Sequence, residues 1–204
     1  MKIQIPDYIQ VLIDLLNQNH YSAYVVGGAI RNALLGLPIH DYDLTTDATP
    51  DEMLQVFSSY RLFKTGIQHG TITVLSKGQP VEITTFRSEN TYEDHRHPSG
   101  VSFSDNIEED CKRRDFTINA LCYNQSEGLI DFFGGIQDLQ HKIIRCIGNP
   151  HERIDEDALR ILRALRFAGR LSFTIEVNTA TAIHKQKDLL HYISAVSYTH
   201  LTLP

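Results

Sequence analysis

Gly27-Gly-Ala-Ile-Arg-Asn-Ala-Leu-Leu-Gly-Leu-Pro-Ile-His-Asp-Tyr-Asp43 is the stretch around which the other segments are read. Ahead of it Ala23-Tyr-Val-Val26 is β-prone, and the two glycines let the backbone turn and approach a ligand with no Cβ in the way. Residues 29–35 favour a helix with Arg31 in its first turn, and Gly36 and Pro38 end it. A helix N-terminus offers unpaired N–H groups and the positive end of a dipole, so a strand, a Gly-Gly turn and a helix with an early arginine suit a phosphate. Asp41-Tyr-Asp-Leu-Thr45 starts a second strand, and side chains at i and i+2 of a strand share a face, so Asp41 and Asp43 point the same way. Two carboxylates that close repel unless a cation sits between them, and hard oxygen donors suit Mg²⁺. Alone, a Gly-Gly is commonly just a turn and an Asp-x-Asp just a strand end. Their spacing raises the functional reading: a phosphate cradle facing a carboxylate pair, the layout of metal-assisted phosphoryl or nucleotidyl transfer.

Outward from this unit, residues 7–19 read as an amphipathic helix with Ile9, Leu12, Ile13 and Leu16 on one face. Thr49-Pro-Asp-Glu52 is a capping box with Pro at N1 and opens a short helix to about Phe57. Strands are expected over 71–76 and 80–87, joined by Lys77-Gly78-Gln79, with Val81, Ile83 and Thr85 alternating with Glu82, Thr84 and Phe86. Residues 88–104 read as a mobile polar loop in which His95 and His97 are solvated rather than metal ligands. Helix formers return over 106–111 and 116–123, Asp131-Phe-Phe-Gly-Gly135 reads as a turn able to act as a hinge, and 155–170 form the clearest helix, with a stripe of Ala158, Ile161, Leu162, Leu165 and Ala168. A last helix is expected over 178–190, and the switch from mixed sheet to helices near residue 145 marks the domain boundary.

At 204 residues and 42% apolar content the chain can bury one full core and a small second one. It holds no apolar run long enough to span a bilayer, and its N-terminus, interrupted by Asp7 and Asp14, does not read as a signal peptide. Cys111, Cys122 and Cys146 form no C-x-x-C pair and read as reduced residues of a cytoplasmic protein, without a structural zinc site. A formal charge of −6 argues against a general nucleic-acid binder. The basic residues Lys112, Arg113 and Arg114, and then Arg153, Arg160, Arg163, Arg166 and Arg170, are local equipment for an anionic ligand.

Several residues admit two readings. Glu82 is either a solvent-facing strand residue or a third carboxylate beside the metal site. Asp115 is either a helix N-cap or an acceptor for a ribose hydroxyl, and Arg114 either part of a solvated cluster or a partner for phosphate or ribose. Asp157 and Arg160, three apart, form either a salt bridge or an acceptor and donor fork for the edge of a nucleobase. On a continuous helix Arg166 would lie roughly opposite Asp157.

The stretch 27–43, Lys112-Arg-Arg-Asp-Phe-Thr-Ile-Asn-Ala-Leu121, Asp131-Phe-Phe-Gly-Gly135 and Glu156-Asp-Ala-Leu-Arg-Ile-Leu-Arg-Ala-Leu-Arg-Phe167 closely resemble, in order, the motifs of class II CCA-adding tRNA nucleotidyltransferases and bacterial poly(A) polymerases. The resemblance implies an α+β, polymerase-β-like nucleotidyltransferase head with a small mixed sheet over 1–147. It implies the start of an all-α neck over 148–196, and residues 197–204 look foreign to the family. Family members are about twice as long, and the half expected to grip tRNA is missing here. By resemblance, Asp41 and Asp43 are Mg²⁺ ligands and, with Glu82, the catalytic acids. Gly27, Gly28 and Arg31 meet the triphosphate, and Arg114, Asp115 and Asn119 meet triphosphate and ribose. Asp157 and Arg160 pair with the incoming base, Glu156, Arg163 and Arg166 are further nucleotide-binding residues, and the 88–104 loop resembles the element that switches C to A addition. The implied reaction adds CCA to tRNA from CTP and ATP. The alternatives are a poly(A) polymerase, a small-molecule nucleotidyltransferase and an inactive nucleotide-binding fragment.

Overall fold

The computed structural model describes residues 3–89 and 101–193. The amphipathic helix α1 (Asp7–Gln18) buries Ile9, Leu12, Ile13 and Leu16, as its spacing predicts. Strand β1 (Ala23–Val26) runs into α2 (Gly28–Leu35) through Gly27, whose φ of 70° and ψ of −129° are open essentially to glycine alone. Gly36 closes α2 in the left-handed conformation. Then come β2 (Asp43–Thr46) and α3 (Pro50–Val56), where the Thr49–Glu52 capping box is formed.

Strands β3 (Arg61–Phe63), β4 (Thr71–Ser76) and β5 (Gln79–Thr85) follow. The β4–β5 hairpin is tighter than the sequence suggests. Ser76 faces Gln79, so only Lys77 and Gly78 form the turn, both at positive φ as the twist of a two-residue hairpin requires. The region read as one polar loop is bracketed by a pair of short strands, β6 (Arg87–Glu89) and β7 (Val101–Phe103). Residues 90–100, with His95 and His97, lie outside the described residues.

After α4 (Ile107–Lys112) the chain departs from the expected helix over 116–123. It makes a single 3₁₀ turn, Thr117–Asn119, and then β8 (Cys122–Asn124), which pairs with β9 (Gly128–Ile130). The β-prone pair Cys122-Tyr123 finds hydrogen-bonding partners on β1, and that pairing outweighs local helix preference. The sheet order is β3-β4-β5-β2-β1-β8-β9, with β2 and β5 parallel and the other pairs antiparallel. Both faces are covered. Ala23, Val25, Leu44, Val81 and Ile83 join the main core with α1 and α3, whereas Tyr24 and Val26 join Phe86, Cys111, Cys122 and Ile147 in a second cluster. That explains why β1 is apolar at every position.

The Asp131 turn is fastened, not hinged. Its carboxylate accepts from the backbone N–H groups of Phe133, Gly135 and Ile136 and starts α5 (Gly135–His141). The short strand β10 (Ile143–Ile144) leads to α6 (Pro150–Glu156) and α7 (Leu159–Leu171). The helix expected over 155–170 is therefore broken at Asp157, which has an extended backbone (φ −139°, ψ 101°). Ala158, Ile161 and Ala164 are buried, but Leu165 is 52% exposed and does not belong to the apolar stripe. Strand β11 (Thr174–Ile175) then pairs in parallel with β10, so the part read as purely helical returns a strand to the head before α8 (Val177–Lys185) and a 3₁₀ turn, Lys187–Tyr192. Among the described residues no helix is long and apolar enough to cross a membrane.

Candidate active site

Strand register brings the glycine turn and the acids together. Val26, the last residue of β1, pairs with Asp43, the first of β2, so Asp43 stands beside the Gly27 turn. In the parallel β2–β5 pair Asp43 is also the partner of Glu82, and directly paired residues project from the same face. Asp41 lies just ahead of the strand rather than on it, so the alternation argument does not apply to it, yet it borders the same cleft as Asp43. Both acids are exposed. The recessed position of Asp43, and then Glu82 and Asp41, hold its carboxyl above the usual range, with Arg114 pulling the other way. Among the described residues no group of three or more His, Cys, Asp or Glu is arranged to hold a metal. Glu82 borders a smaller adjoining recess of about 340 Å³ that it shares with Asp41 and Asp43.

The main cleft is about 680 Å³, bounded by Gly27, Gly28 and Arg31 on one side and the acids on another. Arg31 is nearly buried; its Nη1 donates to Asn119 Oδ1 at 2.7 Å while Nε and Nη2 hold Asn32 Oδ1. Asn119 in turn donates to Asp115 Oδ1 at 2.9 Å, and Asp115 Oδ2 accepts from Arg163 Nε at 2.7 Å. Asp115 is no helix cap: burial alone would raise its pKa, but Arg163, Asn119 and the Phe116 N–H together keep it below the ordinary value. Phe167 completes the arrangement, its ring lying 5.0 Å from the Arg31 guanidinium and 5.6 Å from that of Arg163.

Arg114 Nη2 is paired with Asp110 at 3.1 Å, and its Nη1 comes within 3.2 Å of where a Cβ on Gly27 would stand. Burial opposes its charge, but Asp110 keeps it protonated. Arg114 Nε is buried with no hydrogen-bond partner among the described residues.

The break between α6 and α7 changes the geometry read from the Asp157-x-x-Arg160 spacing. Asp157 lies outside both helices and its Oδ1 caps the Leu159 N–H at 3.0 Å. Arg160 is buried, donating to Glu156 Oε2 at 2.9 Å and to the carbonyls of Arg153 and Arg113. Both still border the cleft, as do Arg163 and Arg166, so Arg166 is not opposite Asp157 as a continuous helix would put it. Glu156 does not border the cleft; it bridges Arg153 and Arg160 from behind. Phe167, which ends the last motif, borders the cleft and was not singled out from the sequence; Arg113, read only as a member of the basic cluster for an anionic ligand, borders it too.

A model of the poly A polymerase head domain matches residues 23–145. The chain belongs to that family. This poly A polymerase-type head is 48% identical over 183 residues to the CCA-adding enzyme of Ligilactobacillus salivarius, and 50% over 184 residues to that of Enterococcus faecalis. In each case 90% of the chain and 45% of the relative are covered. Its structure matches that of the Bacillus stearothermophilus CCA-adding enzyme in complex with CTP at a TM-score of 0.87 and 39% identity, covering 97% of this chain and 48% of that one. It matches the Thermotoga maritima CCA-adding enzyme complexed with tRNA at 0.79 and 27% identity. The fold is thus the polymerase-β-like nucleotidyltransferase head, and the chain spans about half the length of the curated relatives it matches.

Proposed function

We propose that this chain is the nucleotide-adding half, head and first part of the neck, of an enzyme that adds CCA to tRNA in the cytoplasm, joining the tRNA 3′-hydroxyl to the α-phosphorus of CTP or ATP and releasing pyrophosphate. The carrying observation is one cleft in which the Gly27–Arg31 turn, the Asp41–Asp43 acids and the α7 arginines meet. Similarity to proteins named CCA-adding enzyme supports it.

In this reading Arg31, Arg114 and the α2 N-terminus neutralise the triphosphate. Asp115 accepts from the ribose, with Asn119 holding it in line. Asp157 and Arg160 meet the base edge, with Arg163 and Arg166 close by, and Glu156 fixes the Arg160 fork. The head spans 1–147 and the neck begins at 148. The crowding of Asp43 by Glu82 and Asp41 is a charge imbalance that a divalent cation relieves, and Mg²⁺ accepts one or two carboxylates completed by phosphate oxygens and water. Bound there, Mg²⁺ would activate the hydroxyl and stabilise charge on the leaving pyrophosphate. Asp41 and Asp43 orient the reacting groups from their side of the cleft.

The test is incorporation into tRNA ending before the first C, with CTP and ATP offered separately and together. Addition of C, C and then A supports the reading. No use of CTP, with a long A ladder from ATP on a generic RNA primer, replaces it with poly(A) synthesis, the reading that the description of the matched family favours. Binding of CTP without incorporation at any enzyme concentration makes the chain a nucleotide-binding piece only.

A further inference from the structure

We propose that Cys111 and Cys122 form an oxidisable dithiol site that a peroxide closes to an intramolecular disulfide, and that closure weakens nucleotide binding in the neighbouring cleft. The second half rests on the nucleotide-binding reading above; the first does not.

Cys111 lies on α4 and Cys122 opens β8, and their Sγ atoms are 3.1 Å apart in the second core cluster, both fully buried. Cys146 lies apart from them in the main core. The chain between the two thiols, residues 112–121, carries Arg113, Arg114, Asp115 and Asn119 into the cleft. The Arg114 N–H is bonded to the Cys111 carbonyl at 3.2 Å, and its guanidinium approaches the Gly27 backbone closely. A disulfide draws the sulfurs to about 2.05 Å, and an ångström of travel at the end of α4 passes directly to Arg114.

The pair is asymmetric in the way this chemistry needs. The hydrogen bond from Cys122, followed by the Arg114 and Arg113 charges, holds the Cys111 thiol below its ordinary value against burial, while Cys122 is pushed up. Cys111 sulfur attacks a peroxide oxygen, the O–O bond breaks, and the first water leaves with formation of a sulfenic acid. Cys122 sulfur then displaces the hydroxyl from Cys111, giving the S–S bond and a second water. The two thiols lose two electrons and two protons, and one hydrogen peroxide becomes two waters. Access needs only local opening of α4, which is six residues long.

The test treats the reduced, folded chain with hydrogen peroxide. The expected product has lost two hydrogens by intact mass, yields a Cys111–Cys122 cross-linked tryptic pair, and is restored by dithiothreitol. Its Kd for CTP with Mg²⁺ is raised at least about threefold. Cys122→Ala abolishes both effects, and Cys146→Ala abolishes neither. Sulfinic acid without a cross-link, or a cross-link through Cys146, overturns the site. A Cys111–Cys122 disulfide with unchanged CTP affinity overturns the coupling to the cleft. Should the reduced chain bind no CTP, the functional reading fails, and mass and cross-link alone decide the dithiol. Because wild-type mass decides it, a variant that does not fold leaves the test intact.

Discussion

Asp43 and Asn119 show how single side chains govern the cleft. Among the described residues Asp43 makes no ion pair, and Glu82 and Asp41 crowd it against the pull of Arg114, so replacing it relieves repulsion in the folded state and removes a charge-stabilising group from the reaction. Asp43→Ala should cost on the order of 10²–10³ in single-turnover nucleotide incorporation while leaving the melting temperature unchanged or raised. Equal incorporation by variant and parent would remove Asp43 from the chemistry. Asn119 stands between Arg31 and Asp115, using its oxygen for one and its nitrogen for the other. Asn119→Ala leaves two buried charged groups short of a partner, so urea denaturation should register a loss of about 1–3 kcal/mol. That Asp43 and the early Arg31 border one cleft is legible in sequence because strand and turn follow local spacing, whereas Asp41 reaches the same cleft from ahead of the strand, by a route alternation does not give. Asp115 was legible only as two alternatives, because its partner Arg163 lies 48 residues away and no local pattern encodes that meeting.

Elements matter through how they end and what they press against. The break at Asp157 escaped sequence reading because helix formers flank it on both sides; in the structure its carboxylate accepts from the Leu159 N–H at the start of α7, while Arg153 of α6 reaches the carbonyls of Arg113 and Arg114. β8 was misread for a related reason, since its pairing with β1 is invisible to local propensity. By contrast α1, α3 and β4 were legible because amphipathic period, capping box and alternation are complete within each segment. Two glycines in helices make a contrasting pair. A Cβ on Gly135, opening α5, would collide with the Thr117 carbonyl oxygen, whereas one on Gly169 in α7 meets nothing within 4 Å among the described residues. Gly135→Ala should destabilise by about 1–3 kcal/mol or more, and Gly169→Ala should stabilise by about 0.5–1 kcal/mol, both read from urea midpoints. Phe167, on α7, joins the arginine of α2 to that of α7. Phe167→Leu should weaken CTP binding by about 1 kcal/mol, roughly fivefold, and Phe167→Tyr should restore it; equal affinities would show that the ring contributes only bulk.

For the whole molecule, acid response follows from two carboxylates tied to arginines. Burial alone would raise both pKa values, but Arg114 and Arg113 hold Asp110 below its ordinary value, as Arg163 does Asp115. A depressed folded pKa adds stability that is complete above the unfolded value, about 3.9, and disappears as pH falls through the folded one. The melting temperature should therefore drop steeply below about pH 4, and Asp110→Asn should flatten that drop. An unchanged slope in the variant would take Asp110 out of the account.

The parallel β10–β11 pair ties the far end of α7 to the head, while Arg163 and Arg153 fasten its middle and the helix before it. Held at its far end and its middle, α7 has few free joints, so adjustment of what the cleft admits is expected in side chains and in the 112–121 segment between the two thiols rather than in a swing of the helix.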